Sequence, residues 1–256
     1  MLSQIIDDEL KLGLVTHGSS IDKITLLLVP GLGTMGIRPP KRMRQTMSGL
    51  SYHNIEVNGA SFIYRSHKTN IMDNFENDVE DLAEAVLAIE QQGIPREKIG
   101  LIGECYGSYI SLQYLKQNQN IGFVIMIEPF LGLDYLNPFL RALSKGTKYF
   151  IPNMRVPCGR RFNKGWGYIN IASFLRNADK GIDLERTRTP KLVFTVGAHS
   201  VFNTEEACNH LRENGAETYN LHKGVLKETK KQMYTAVADF LNRIYQVTTP
   251  DNIQPT

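Results

Sequence analysis

The sequence of 256 residues predicts an α/β fold in which a mostly parallel central sheet is flanked by helices. Apolar runs typical of strands buried on both faces recur along the chain, at 24–29, 99–103, 121–127 and 191–196. Segments with apolar residues at helical spacing alternate with these runs. A parallel connection needs a crossover, usually a helix, so this alternation favours a parallel sheet.

Composition limits the class of protein. With 42% hydrophobic residues the chain can bury one substantial core, so we expect a single domain over residues 1–256. The cysteines Cys105, Cys158 and Cys208 are widely spaced without a Cys-x-x-Cys pair, so neither a disulfide framework nor a metal site is predicted. The N-terminus lacks a signal peptide's features, and no apolar run approaches the roughly 20 residues of a membrane helix. We therefore expect a cytoplasmic protein without a membrane span.

The predicted elements follow in order along the chain. We expect a first strand or hairpin at 9–16, strands at 24–29, 59–65, 99–103, 121–127, 191–197 and 216–221, and helices at 73–92, 109–115, 204–214 and 228–245. His17, in the turn after the first strand, is interpreted as a solvated turn residue.

The most informative stretch is Gly103-Glu104-Cys105-Tyr106-Gly107, between a predicted strand and a predicted helix. Its glycines suit a sharp turn in which neighbouring side chains would collide, so Cys105 would stand exposed at the head of the helix. A helix N-terminus lowers the pKa of a thiol. The stretch resembles the Gly-x-Ser-x-Gly nucleophile elbow of the α/β-hydrolase superfamily, with Cys105 in the serine's place. It is similar to the cysteine elbows of dienelactone hydrolases and polyhydroxyalkanoate synthases.

The resemblance implies further site residues. In this superfamily the loop after the strand at 24–29 donates a backbone N–H to the oxyanion hole, which implies Leu32, with Gly33 as second choice, and Tyr106 as the other donor. Such fixed donors stabilise the negative charge that acyl transfer builds on a carbonyl oxygen. The family's histidine follows the last strand, which implies His222 as the base. The glycine spacing at 31–33 does not match a nucleotide-binding loop, and no cofactor is predicted.

The triad acid departs from the common pattern. After the penultimate strand the superfamily usually has Gly-x-x-Asp, whereas residues 197–200 read Gly-Ala-His-Ser, with Ser200 in the acid's position. In some members the acid follows the strand after the elbow helix, and Glu128 matches that placement. Glu128 stands at the end of a run predicted to be buried, and a buried charge without a partner costs several kcal/mol. Its carboxylate is therefore expected to have a partner, and for this reason we favour Glu128 as the acid. Asp134, or a Cys-His dyad without an acid, stays open.

A long basic insertion separates the strand at 121–127 from the strand at 191–197. The resemblance implies a helical lid here, about residues 131–188. Between Asp134 and Asp179 there is no acidic residue, whereas eight cationic residues fall inside the segment. A second basic cluster comprises Arg38, Lys41, Arg42 and Arg44. Cationic charge beside the site would attract an anionic substrate, and the aromatic residues of the lid suit an acyl chain. Arg160, Arg161 and Trp166 are the candidate substrate-binding residues.

Together these features predict an enzyme of acyl transfer. Cys105 would attack an activated acyl group, for which a thioester of coenzyme A or of an acyl carrier protein is the favoured substrate. Transfer to water makes the enzyme a thioesterase, and transfer to another acceptor makes it an acyltransferase. The alternatives are an esterase or lactone hydrolase of the dienelactone-hydrolase type, and a non-catalytic protein of this fold that binds a ligand or partner. No nucleic-acid motif is present, and the sequence does not predict the oligomeric state.

Overall fold

The computed structural model describes residues 14–18, 20–31, 38–65, 71–72, 75–132, 142, 155–160, 166–170, 187–195, 205–221 and 226–245. In chain order its strands and helices are β1 (Val15–His17), β2 (Thr25–Val29), α1 (Arg38–Ser51), β3 (Asn58–Ser61), β4 (Ile71–Met72), α2 (Phe75–Glu90), β5 (Ile99–Glu104), α3 (Tyr106–Leu115), β6 (Phe123–Ile127), β7 (Arg155–Arg160), β8 (Trp166–Asn170), β9 (Lys191–Thr195), α4 (Glu205–Glu213), β10 (Ala216–Asn220) and α5 (Leu226–Tyr245).

Seven strands form the central sheet, in the order β1-β3-β2-β5-β6-β9-β10. All neighbouring pairs are parallel except β1 with β3, which is antiparallel. In register, Val29 at the end of β2 pairs with Gly103, and Glu104 at the end of β5 pairs with Ile127. The carboxyl ends of three adjacent strands therefore meet at one edge of the sheet. This topology confirms the predicted α/β class with its mostly parallel sheet.

Each face of the sheet is covered by helices. Along β2, Leu27 and Val29 pack into a core shared with α2 and α3, whereas Leu26 and Leu28 pack into a second core shared with α1 and α5. Successive side chains of a strand point to opposite faces, so a strand covered on both faces has to be continuously apolar. These two cores therefore explain why residues 24–29 form a continuous apolar run.

The described elements confirm most of the predicted strands and helices. The predicted helix at 73–92 is α2, followed by Gly93 with φ of +85°, and the helix at 204–214 is α4, followed by Gly215 with φ of +74°. Both glycines adopt the left-handed conformation that commonly ends a helix. The interpretation of His17 is wrong. It is the last residue of β1 and only 9% exposed, and burial, followed by the charge of Arg44, lowers its pKa.

The long insertion contains strands in its described part. β7 pairs antiparallel with β8, and β8 pairs parallel with β4, which gives a second sheet in the order β4-β8-β7. The predicted helical character of the lid is therefore not confirmed, since the resemblance indicated a helical insertion and not its strand content. Most of 131–188 lies outside the described residues, and these bounds stay a prediction.

Candidate active site

Cys105 occupies a strained turn between β5 and α3. Its φ of 50° and ψ of −111° place a non-glycine residue in a conformation that L side chains rarely adopt. Ser108 N–H donates to the Cys105 carbonyl at 3.1 Å, which closes the first turn of α3. Such strain costs of order 1–3 kcal/mol and persists only where the surrounding structure enforces it.

The flanking glycines are required by close packing. A Cβ on Gly103 would lie 2.6 Å from Cα of Ser108, and a Cβ on Gly107 would lie 2.1 Å from the carbonyl oxygen of Val29. Both contacts are with backbone, which has little room to move. The two glycines therefore let α3 pack directly against the ends of β5 and β2, and this packing fixes Cys105 at the carboxyl edge of the sheet.

The Cys105 thiol is a weaker acid than an ordinary thiol. Burial raises its pKa most, and the charge of Glu128 raises it further, whereas a hydrogen bond from the Tyr106 backbone N–H lowers it. The pKa shift is thus opposite in direction to the lowering predicted from the helix N-terminus. Desolvation of the half-buried sulfur outweighs the favourable backbone donor. The neutral thiol is the resting form, so a nucleophilic role needs a base to remove its proton.

Glu128 lies near Cys105 because it follows β6, the strand that neighbours β5 in the sheet. It directly follows β6 and has φ of 49°, a second non-glycine residue with positive φ. Cys105 N–H donates to the carbonyl of Ile127 at 2.9 Å, and Phe130 N–H donates to the carbonyl of Cys105 at 3.2 Å. Glu128 N–H donates to the carbonyl of Phe194 in β9 at 2.8 Å. These bonds join the two turns, so the carboxyl group predicted as the acid lies in the neighbourhood of the predicted nucleophile.

An ion pair involves the residue immediately before Cys105. Arg42 in α1 pairs with Glu104, the residue immediately before Cys105, and the side chain of Glu104 is only 17% exposed. The sequence placed Arg42 in a basic cluster near the site but did not predict this partner. The ion pair gives a cationic partner to the carboxylate of the residue that immediately precedes Cys105.

A buried polar network joins α3, the helix that follows Cys105, to α2. The hydroxyl of Tyr106 donates to the carboxylate of Asp78 in α2 at 2.6 Å, and Asp78 is 1% exposed. The Tyr106 ring contacts the ring of Tyr64 edge-on and stacks with the ring of Tyr109. Sequence reasoning missed Asp78. A signal was present, because Asp78 lies four residues before Leu82 and therefore on the apolar face of the helix.

The other predicted site residues are described only in part. Leu32, Gly33, Asp134, Arg161, Ser200 and His222 lie outside the described residues. Arg160 and Trp166 pair in register across β7 and β8. Within the described part of the chain, no group of three or more His, Cys, Asp or Glu could hold a metal ion. None of the described helices is long and apolar enough to cross a membrane. The cytoplasmic location stays a prediction.

The sheet order, the strained residue at the strand-to-helix turn and the flanking glycines define an α/β-hydrolase. The family model described as serine aminopeptidase, S33 (Hydrolase_4) matches residues 62–251. The chain therefore belongs to this family of hydrolases. Because the family is named for a serine enzyme, the cysteine nucleophile and the similarity to dienelactone hydrolases stay predictions. No curated protein shows significant sequence similarity to the chain.

Solved structures share the fold at low identity. A soluble variant of monoglyceride lipase from Saccharomyces cerevisiae is 13% identical, with a TM-score of 0.63 over 93% of this chain and 92% of that one. The α/β hydrolase GrgF from Penicillium sp. sh18 is 16% identical, with a TM-score of 0.65 over 95% and 97%. A structure described among carboxylesterases of Nitrososphaera gargenis is 14% identical, with a TM-score of 0.57 over 97% and 100%. These similarities support the fold.

Proposed function

We propose that this hydrolase uses Cys105 as a covalent nucleophile and that its substrate is an acyl thioester. The observation that carries the proposal is the conformation of Cys105, held at positive φ at the head of α3 by glycines that admit no side chain. Backbone strain of this kind clusters at functional sites. The location of Cys105 at a strand-to-helix turn supports this role, because the elbow of this fold carries its nucleophile at such a turn.

The raised pKa of Cys105 determines the roles of its proposed partners. His222 takes the proton from Sγ as the sulfur attacks the acyl carbon, and Glu128 orients and stabilises the imidazolium that results. The backbone N–H groups of Leu32 and Tyr106 donate to the oxyanion. The carbon–sulfur bond of the substrate then breaks, and the proton passes from His222 to the departing thiolate. Water attacks the acyl-Cys105 thioester in the second step, releasing a carboxylic acid and restoring the thiol.

A thioester suits a cysteine nucleophile because exchange between two thioesters is nearly balanced in energy. The acyl group therefore stays activated on Cys105, and an acceptor other than water would turn the same chemistry into acyl transfer. Arg160, Arg161 and Trp166 are proposed to bind the substrate, the two guanidinium groups through an anionic part of it.

An oxygen ester or lactone is the second candidate substrate. The structures with this fold include a monoglyceride lipase and a structure described among carboxylesterases, which favours carboxylic ester chemistry. The two candidates differ in the leaving group and share the elbow. A third alternative, a non-catalytic protein that binds a ligand, predicts no covalent adduct.

Acylation of Cys105 tests the proposal. The protein is incubated with acyl-coenzyme A, acyl-N-acetylcysteamine thioesters and p-nitrophenyl esters, and any mass increase is assigned to a peptide. The proposal expects an acyl group on Cys105 that is absent in Cys105→Ala and retained in Cys208→Ala, the matched half-buried cysteine of α4. Turnover of esters without any thioester turnover supports the second candidate. A panel with neither adduct nor turnover supports the non-catalytic alternative.

A further inference from the structure

A large groove lies between α1 and α5, on the face of the sheet opposite α2 and α3. Its volume is about 1140 Å³. At its base the two helices meet closely, because a Cβ on Gly49 would lie 2.4 Å from the ring of Tyr234. Tyr52, 85% exposed, lines the groove near the end of α1. The groove is thus a surface channel with one helix on each side.

The groove carries a strong excess of positive charge. Its lining includes four exposed cationic side chains, Lys41 and Arg44 on α1 and Lys230 and Lys231 on α5. Among the described residues no ion pair joins any of these four to a carboxylate. Glu228 is the one carboxylate in the described lining. Uncompensated charge of one sign along a concave surface attracts a partner of the opposite sign.

The cationic part of the groove lies toward the active site. Both helices follow strands of the parallel part of the sheet, so both begin at the carboxyl edge where Cys105 lies. The four cations stand in the first halves of the two helices. Arg42, the neighbour of Lys41, contacts Glu104, which immediately precedes Cys105. A molecule in the groove would therefore have one end at the edge that carries the elbow.

The shape and the charge pattern favour a protein helix as the occupant. The volume exceeds the range of about 300–1,000 Å³ that is usual for small-ligand pockets, and the cations stand on both walls. A lipid surface is flat and would require several exposed apolar side chains for insertion. The exposed large hydrophobic residues of the described chain are Ile21, Tyr52, Leu87 and Tyr219, of which Tyr52 alone lines the groove. A helix about 10–12 Å across fits a channel between two helices, a recurring mode of recognition.

We propose that this groove docks an acidic helix of an acyl carrier protein and thereby directs the carrier's thioester arm to Cys105. The choice of a carrier as the partner rests on the proposed acyl-transfer function. Docking by charge would select a carrier-bound acyl group over a free thioester, because a small thioester makes no contact with the groove.

Binding is measured with fluorescein-labelled holo acyl carrier protein by anisotropy, on the full chain. The double variant Arg44→Glu/Lys231→Glu is expected to weaken binding at least tenfold, and Glu228→Gln to strengthen it two- to fivefold. Arg188→Glu, a charge reversal at an exposed residue outside the groove, is the matched control and leaves the affinity unchanged. Affinity should fall steeply with salt, since the interaction is electrostatic.

The outcomes separate the groove from the reaction. Carrier binding that is absent, or equal in the double variant and the parent, overturns the docking proposal. The docking proposal is also overturned if the carrier does not bind but coenzyme A alone, or vesicles of anionic phosphatidylserine, bind the parent and bind the double variant more weakly. Turnover of acyl-N-acetylcysteamine should be the same in the double variant and the parent, which tests the reaction independently. Groove-dependent carrier binding without acylation of Cys105 refutes the thioester function and leaves the docking surface standing.

Discussion

Cys105 and Glu128 stand in adjoining turns that both have positive φ; burial raises the pKa of the Cys105 thiol most, and the charge of Glu128 raises it further. Asn54 is the remaining non-glycine residue with positive φ in the described chain, so two of three such residues meet at one edge of the sheet. A carboxylate beside a thiol opposes formation of the thiolate. The same carboxylate favours the imidazolium of a neighbouring histidine. Glu128 therefore has opposite effects on the two groups it is proposed to serve.

Glu128→Gln is predicted to make Cys105 more reactive toward alkylation and less effective in catalysis. Removing the negative charge lowers the pKa of the thiol toward its usual range, so the rate of iodoacetamide alkylation rises at a lower pH than in the parent. Turnover falls because the imidazolium loses its partner, by about 100- to 10,000-fold in kcat, which is the usual contribution of acid–base catalysis. The measurements are the pH profile of alkylation and the steady-state rate on a thioester.

Glu104→Gln is the control for this prediction. Glu104 is adjacent to Cys105 in sequence, but its charge is already neutralised by Arg42. The alkylation profile of Glu104→Gln should therefore shift much less than that of Glu128→Gln. Equal shifts in the two variants would mean that the assignment of the charge effect to Glu128 is wrong. Faster alkylation with unchanged kcat would remove Glu128 from the proposed triad.

Arg42→Met is predicted to slow alkylation of Cys105 near neutral pH. The substitution leaves the Glu104 carboxylate without its guanidinium partner, and a negative charge on the residue that precedes Cys105 would disfavour the thiolate. Arg96→Met is a matched control, because Arg96 pairs with Glu90 at 2.9 Å just before the start of β5, at the end of that strand opposite to the elbow. Faster alkylation in Arg42→Met, or an equal change in Arg96→Met, would contradict the proposed shielding of the elbow. The effect should weaken in high salt.

The fold was largely predictable because its signals are local. The apolar run in β2 reports burial on both faces, and the glycines on each side of Cys105 report a turn without room for side chains. The order of these elements along the chain was sufficient for a parallel sheet. The structure adds the second small sheet, which joins β4 to β7 and β8 across more than eighty residues. No local pattern carries that pairing.

The sequence was sufficient to predict candidate residues for the site, but not the side chains that these residues contact. Arg42 and Glu104 are 62 residues apart, and Tyr106 and Asp78 are 28 apart, so both contacts depend on how helices dock on the sheet. The pKa of Cys105 was predicted in the wrong direction because a helix N-terminus is visible in sequence, whereas the desolvation that outweighs it requires packing. His17 was misjudged for the same reason.

Tyr106→Phe is predicted to destabilise the fold. The hydroxyl donates to the buried carboxylate of Asp78, and removing one donor from a buried charged acceptor costs about 1.5–3 kcal/mol. Chemical denaturation measures the loss. Tyr52→Phe, at an exposed tyrosine, should stay within about 0.5 kcal/mol of the parent. The backbone N–H of Tyr106 is unchanged, so alkylation of Cys105 in the folded variant should stay close to the parent rate. Equal stability of the two variants would argue against the network as a support of α3.

Gly107→Ala is predicted to damage both the fold and the elbow. Its Cβ would lie 2.1 Å from the carbonyl oxygen of Val29 and 2.9 Å from that of Pro30, so α3 has to move away from the end of β2. We expect a loss of more than about 3 kcal/mol, above the range usual for a single substitution.

Gly215→Ala is the matched control for Gly107→Ala. Nothing lies within 4 Å of its new Cβ, and its φ of +74° alone costs about 1–2 kcal/mol. Thermal unfolding ranks the two variants, and the alkylation rate of Cys105 reports the elbow. Because only Gly107 touches the turn, altered alkylation is expected in Gly107→Ala and parent-like alkylation in Gly215→Ala. If Gly107→Ala unfolds no earlier than Gly215→Ala, the close packing of α3 on β2 cannot be what holds Cys105 in its strained conformation.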